Sequence, residues 1–108
     1  MKIQQVSEYS IEFDNGNNIS CNHVQDCCED NYADFTQIDE KLVEYDYDFN
    51  ENLEFEKIED SGFRFGSNGH WIFVPCYSEQ NGYYSSNIDI YYNDKLVLES
   101  MSCEIIYK

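Results

Sequence analysis

Apolar and acidic residues alternate through much of this chain, and that period of two constrains its fold more than any other feature. In Tyr9-Ser10-Ile11-Glu12-Phe13-Asp14, an extended backbone puts Tyr9, Ile11 and Phe13 on one face and Ser10, Glu12 and Asp14 on the other. Tyr45-Asp46-Tyr47-Asp48-Phe49 alternates in the same way, and Leu53-Glu54-Phe55-Glu56 repeats the pattern after the polar break Asn50-Glu51-Asn52. Phe63 and Phe65, then Ile88, Ile90 and Tyr92, then Leu96 and Leu98 extend it. Ten Tyr and seven Phe against a single Pro fit a pleated surface, on which flat aromatic side chains pack well.

Turn signals separate the alternating runs. Asn15-Gly16 predicts a two-residue hairpin turn, after which Ile19, Cys21 and His23 fall on one face of the returning strand. Residues from Asp26 to Ile38 read as a strand or bent connection, and a short helical turn is expected from Gln37 to Val43 with Asp39 as its cap. The runs at Tyr45–Phe49 and Leu53–Glu56 are expected to pair as antiparallel strands. Gly66-Ser67-Asn68-Gly69 reads as a loop, His70–Val74 as a buried strand ended by Pro75, and Asn81-Gly82 and Asn93-Asp94 as further breaks. Leu96, Leu98 and Ile105–Tyr107 predict a closing hairpin. The expectation is a single domain over residues 1–108, mainly β, an antiparallel curled sheet or sandwich with at most one or two short helices.

Twenty-two acidic residues against six basic ones give a formal charge of -16, so direct binding of nucleic acid or of an anionic membrane is disfavoured. A partner with a basic groove is attracted instead, at a rate that falls as salt rises. The carboxylates Glu44, Asp46, Asp48, Glu54 and Glu56 are expected opposite the aromatic faces, as rows with a repeat of roughly 6.5 Å along each strand. Such rows can imitate a phosphate backbone, and they are the expected contact residues. No window approaches the ~20 apolar residues of a membrane span, and no apolar leader follows Met1, so a cytoplasmic monomer is expected.

Three of the five cysteines, one of the two histidines and two carboxylates fall within Cys21-Asn22-His23-Val24-Gln25-Asp26-Cys27-Cys28-Glu29. Soft sulfur and imidazole at this density predict a structural Zn2+ site at His23, Cys27 and Cys28. Cys21 is the local candidate for a fourth ligand, with Cys76 and Cys103 as long-range candidates. The spacing matches no standard zinc ribbon or finger, and buried reduced thiols are the competing reading. A thiol or zinc enzyme centred on His23, Cys27 and Cys28 needs an activated nucleophile and oxyanion donors, and only Glu29 offers itself as a neighbouring base. A non-enzymatic protein is therefore expected. His70, beside Trp71, is an outsider to this cluster.

Gln25-Asp26-Cys27-Cys28-Glu29 after His23, together with Asn81-Gly82-Tyr83-Tyr84-Ser85, resembles a family of small domains found in phages, prophages and bacterial mobile elements. The resemblance spans about Ile11 to Ile90, and the acidic middle from Leu42 to Glu59 departs from the family's pattern. It implies a mobile-element setting. By setting and charge the chain resembles acidic anti-CRISPR inhibitors of type II effector nucleases, which implies a CRISPR effector, or another nucleic-acid-binding defence protein, as the partner. An acidic interaction scaffold without inhibitory activity is the plainer alternative.

Overall fold

The computed structural model describes residues 1–21, 24–26, 29–39, 48–80 and 87–107. Two sheets pack over a shared core. The first has the order β1-β2-β3-β9-β10 and is built from Ile3–Val6, Ser10–Phe13, Asn18–Cys21, Asn87–Tyr92 and Lys95–Ser102. The second has the order β4-β5-β8-β7-β6, from Val24–Asp26, Glu29–Ala33, His70–Gln80, Gly62–Ser67 and Glu54–Ile58, with β11 (Glu104–Tyr107) added alongside β8. The helix α1 covers only Thr36–Asp39. The mainly β expectation holds, with neighbouring strands antiparallel except at β11.

The alternation does what it predicts in β2 and β9. Ile11, Phe13, Ile88 and Ile90 are buried, while Glu12 is exposed. Facing them from the second sheet are Ala33, Phe63, Phe65, Ile72, Val74 and Cys76. Phe13 meets Phe65 edge-on at 6.4 Å between ring centroids, and Phe49 stands 6.1 Å from Phe13 and 5.8 Å from Phe65. Phe55 and Tyr92, 5.6 Å apart, extend this aromatic seam across the sheets. Such rings combine large buried area with a preference for tilted and edge-to-face geometry.

Several expectations need correction. The β2–β3 loop has three residues rather than two, because Phe13 N–H donates to Asn17 O (2.8 Å) and the Asn15 side chain accepts from Asn17 N–H (3.0 Å). Gly66 and Ser67 belong to β7, and the turn is Asn68-Gly69 alone, with φ of 52° and 81°, a pair of left-handed conformations suited to a two-residue hairpin. The strand from His70 does not stop at Pro75. It continues to Gln80, because Pro75 sits where β8 exchanges partners: β7 pairs with it up to Pro75, and β5 and β11 take over from Cys76 and Tyr77. A missing N–H costs little at such a junction. Nor is that strand wholly buried. Ile72 and Val74 face the core, but Phe73 is 47% exposed and Trp71 lies under the Arg64 guanidinium, 4.2 Å from the ring centroid.

The helical turn begins at Thr36 instead of Gln37 and has Asp39 as its last residue, while Asp34 accepts the bonds at its start, from Thr36 Oγ1 and Gln37 Nε2. Its predicted continuation to Val43 and most of the Tyr45–Phe49 run fall outside the described residues. Phe49 itself is buried but not in a strand, and β6 pairs with β7. Finally, Ile105–Tyr107 makes no hairpin with β10. The chain leaves the first sheet at Ser102, passes through Cys103 and joins the second sheet parallel to β8. Ser102-Cys103-Glu104 carries none of the Gly or Asn residues that a reversing turn demands.

Gly66 stands across from Trp71, and a Cβ there would collide with the backbone carbonyl of His70. Backbone cannot swing aside as a side chain can, so Gly66→Ala is expected to destabilise the fold by about 2–3 kcal/mol. Urea denaturation of the two proteins checks this; an unchanged midpoint would show that the β7–β8 hairpin relaxes freely.

Candidate functional site

Of the five carboxylates expected to meet a partner, Glu44 and Asp46 lie outside the described residues. Asp48, Glu54 and Glu56 are exposed, but they differ electrically. Asp48 accepts a hydrogen bond from the Met1 amino group at 2.5 Å, which holds its carboxyl below the usual range. Glu56 sits opposite Arg64 across β6 and β7 and takes both its Nη2 (2.7 Å) and its Nε (3.2 Å). Of these three, Glu54 alone has no ion-pair partner among the described residues. Two residues that the alternation did not single out, Glu59 and Asp60, extend the exposed strip past the end of β6. Their signal was the charge pair ahead of Ser61-Gly62, where strand periodicity gives way to a turn.

Among the described strands β6 lies at the edge, where unpaired backbone groups invite another strand and carboxylates discourage it. The single lysine of this strand points elsewhere, Lys57 Nζ donating to the carbonyl of Glu99 at 2.6 Å on the first sheet. Among the described residues, Arg64 is the cation that pairs with a carboxylate of the strip Glu51, Glu54, Glu56, Glu59 and Asp60. Beside Glu54 a polar cleft of about 370 Å³ opens between Asn50, Asn52, Ser67, Asn68 and Gly69. Amides and one carboxylate line it, a surface for hydrogen bonding rather than for proton transfer between paired acids.

The predicted metal residues divide in the same way. His23, Cys27 and Cys28 lie outside the described residues. Cys21 is half-buried at the end of β3, and Cys76 is fully buried on β8. Among the described residues no group of three or more His, Cys, Asp or Glu is arranged to hold a metal ion. The three described cysteines nevertheless draw together. Burial pushes the Cys76 thiol well up, and the neighbouring Cys103 thiol pushes it further. Burial also raises Cys21, partly relieved by the backbone N–H of Ala33, the residue that pairs with Cys76 across β5 and β8. Cys21, Cys76 and Cys103 are all free thiols. His70, exposed at the start of β8, is remote from them in the fold.

Comparison with family models, with curated proteins and with solved structures finds no match to this chain. Among the described residues no helix is long and apolar enough to cross a membrane.

A thiol whose folded pKa is raised keeps its proton in the native state and loses it first on unfolding. Its stabilising effect is complete below the unfolded value of about 8.5 and declines as pH rises above it. The melting temperature is expected to fall between pH 8 and pH 10 more steeply in the wild type than in Cys76→Ala. Parallel slopes in a thermal scan against pH would show that ionisation of Cys76 is not linked to folding.

Proposed function

We propose that this chain is a non-enzymatic anti-defence protein that docks its acidic edge on the basic nucleic-acid channel of a host effector, a type II CRISPR nuclease in the first instance, and so blocks loading of target DNA. The observation that carries the reading is the exposed strip from Glu51 to Asp60 along the edge strand β6. Glu54 and Glu56, fixed on the strand, need little reordering when they meet a row of Lys and Arg, and the overall charge of -16 adds long-range attraction. The differing local partners sharpen the choice of contact residues. Glu54, Glu59 and Asp60 have no ion-pair partner among the described residues, whereas Asp48 and Glu56 must give one up to engage a partner. Glu44 and Asp46, outside the described residues, belong to the proposed contact set on the sequence pattern alone.

The test is inhibition of guide-directed DNA cleavage by a type II effector, with Glu54→Lys, Glu59→Lys and Asp60→Asn combined. Asparagine is chosen at Asp60 because φ there is 56°, which Asn tolerates and Lys does not. The wild type is expected to inhibit at low salt and to weaken as salt rises, and the triple variant to need about 10-fold more protein for the same effect. Equal inhibition by both proteins would overturn the docking surface; no inhibition by the wild type would overturn the partner.

A structural Zn2+ belongs to the same proposal, held by His23, Cys27 and Cys28 with Cys21 as the local fourth ligand. Thiolate and imidazole form the donor set that zinc prefers, and a closed site of this kind contributes folding energy. Purified protein is expected to carry one zinc per chain by elemental analysis, and a chelator to lower its melting temperature. Absence of stoichiometric metal, with melting unaffected by the chelator, would remove zinc from the account.

A further inference from the structure

We propose that Cys76 and Cys103 are a cross-linking site, forming a disulfide that staples β11 to β8 when the protein meets a thiol oxidant such as glutathione disulfide. The strand register brings them side by side. β11 runs parallel to β8 with Glu104 opposite Tyr77, so Cys103 and Cys76 are the residues immediately before the first registered pair on each strand. Neighbouring strands lie about 4.8 Å apart, inside the ~4.4–6.8 Å Cα separation that a disulfide spans. Both side chains turn into the core, with exposures of 0% for Cys76 and 2% for Cys103. Cys103 is also one of the neighbours that hold the Cys76 thiol protonated, as side-by-side placement implies.

The position in the fold gives the bond a purpose. Cys103 is the single residue between the end of β10 in the first sheet and the start of β11 in the second. β11 is only four residues long, and every one of its side chains is exposed. Such a strand opens locally at low cost, which lets a small oxidant reach thiols that the closed fold shields. The Cys103 thiolate attacks one sulfur of glutathione disulfide and releases a glutathione thiolate, leaving a mixed disulfide on Cys103. While β11 is still open and Cys76 is solvated, the Cys76 thiol loses its proton and its thiolate displaces the second glutathione, after which β11 pairs again. Two protein thiols are oxidised, one disulfide is reduced, and the two protons end on two glutathione molecules. The bond closes the chain from β8 to β11 around the β9–β10 hairpin, restricting the unfolded state and tying the two sheets at their shared corner.

The experiment incubates the folded full chain with glutathione disulfide, blocks the remaining thiols with N-ethylmaleimide and maps the cysteine pairs by peptide mass spectrometry, with chain unfolded in guanidinium treated in parallel. The Cys76–Cys103 peptide is expected to dominate in the folded sample and to be at least ~10-fold less abundant in the unfolded one. The oxidised protein is expected to melt about 10 °C higher than the reduced protein. Cys21→Ser should retain the bond, and Cys103→Ser should lose both the bond and the rise in melting temperature. The proposal is overturned if Cys103 pairs mainly with Cys21, if both thiols remain alkylatable after oxidation, or if folded and unfolded chains give the same mixture of pairs.

Discussion

The contact between Phe13 and Phe65 is the one on which the rest of the molecule depends. Each ring comes from a different sheet, both are fully buried, and they meet at the centre of the aromatic seam completed by Phe49, Phe55 and Tyr92. A small domain with a formal charge of -16 carries self-repulsion over its whole surface, and its core must offset that as well as chain entropy. Rings supply the largest apolar area per residue, so the many Phe and Tyr residues and the excess of acid belong together. Phe49 shows how tightly the seam is held. Its N–H donates to Met1 O and its carbonyl accepts from the Met1 amino group, fastening an irregular segment beside β1 without a regular strand.

Alternation made the β2, β7 and β9 faces legible, because half-buried strands leave a period of two whatever sheet they join. Partnership was less legible. The Asn15 side chain lengthened a turn that Asn-Gly alone predicts as two residues, and Pro75 survives inside a strand because the strand changes neighbours there. Phe73 appears in a run that reads as continuous core, yet β8 has an outward face there, with Trp71 and Arg64 as its neighbours. The parallel crossing of Ile105–Tyr107 left no local mark, since it depends on an edge of β8 formed 27 residues earlier in the chain.

The candidate site illustrates the same division between chain order and space. The dense run from Cys21 to Glu29 draws attention in the sequence, but of its cysteines only Cys21 lies among the described residues, and its near neighbours are Ala33 and Cys103. Cys76 and Cys103, separated by a whole hairpin, meet across two strands. Charge behaves likewise. Glu54 and Glu56 look equivalent on one strand face, yet register puts Arg64 opposite Glu56 and Gly66 opposite Glu54, so one carboxylate is paired and the other faces a residue with no side chain. A row of acids in sequence is therefore a graded electrostatic surface in the fold.

The inner end of the second sheet adds a constraint that apolar packing alone would leave loose. Asn31 on β5 lies opposite Ser78 on β8; their side chains bond to each other, and Gln80 Nε2 donates to Ser78 Oγ, all three residues being buried. Sliding β5 by one residue would turn its faces over, and the alternation already forbids that. Sliding by two would preserve the faces, so hydrophobicity is indifferent to it. The Asn31–Ser78 bond is not, because a shifted register leaves buried amide and hydroxyl groups without their partners, at a cost of about 1–3 kcal/mol each. Since β5 places Ala33 beside Cys76 and within reach of Cys21, that polar lock also sets the register in which the three thiols converge.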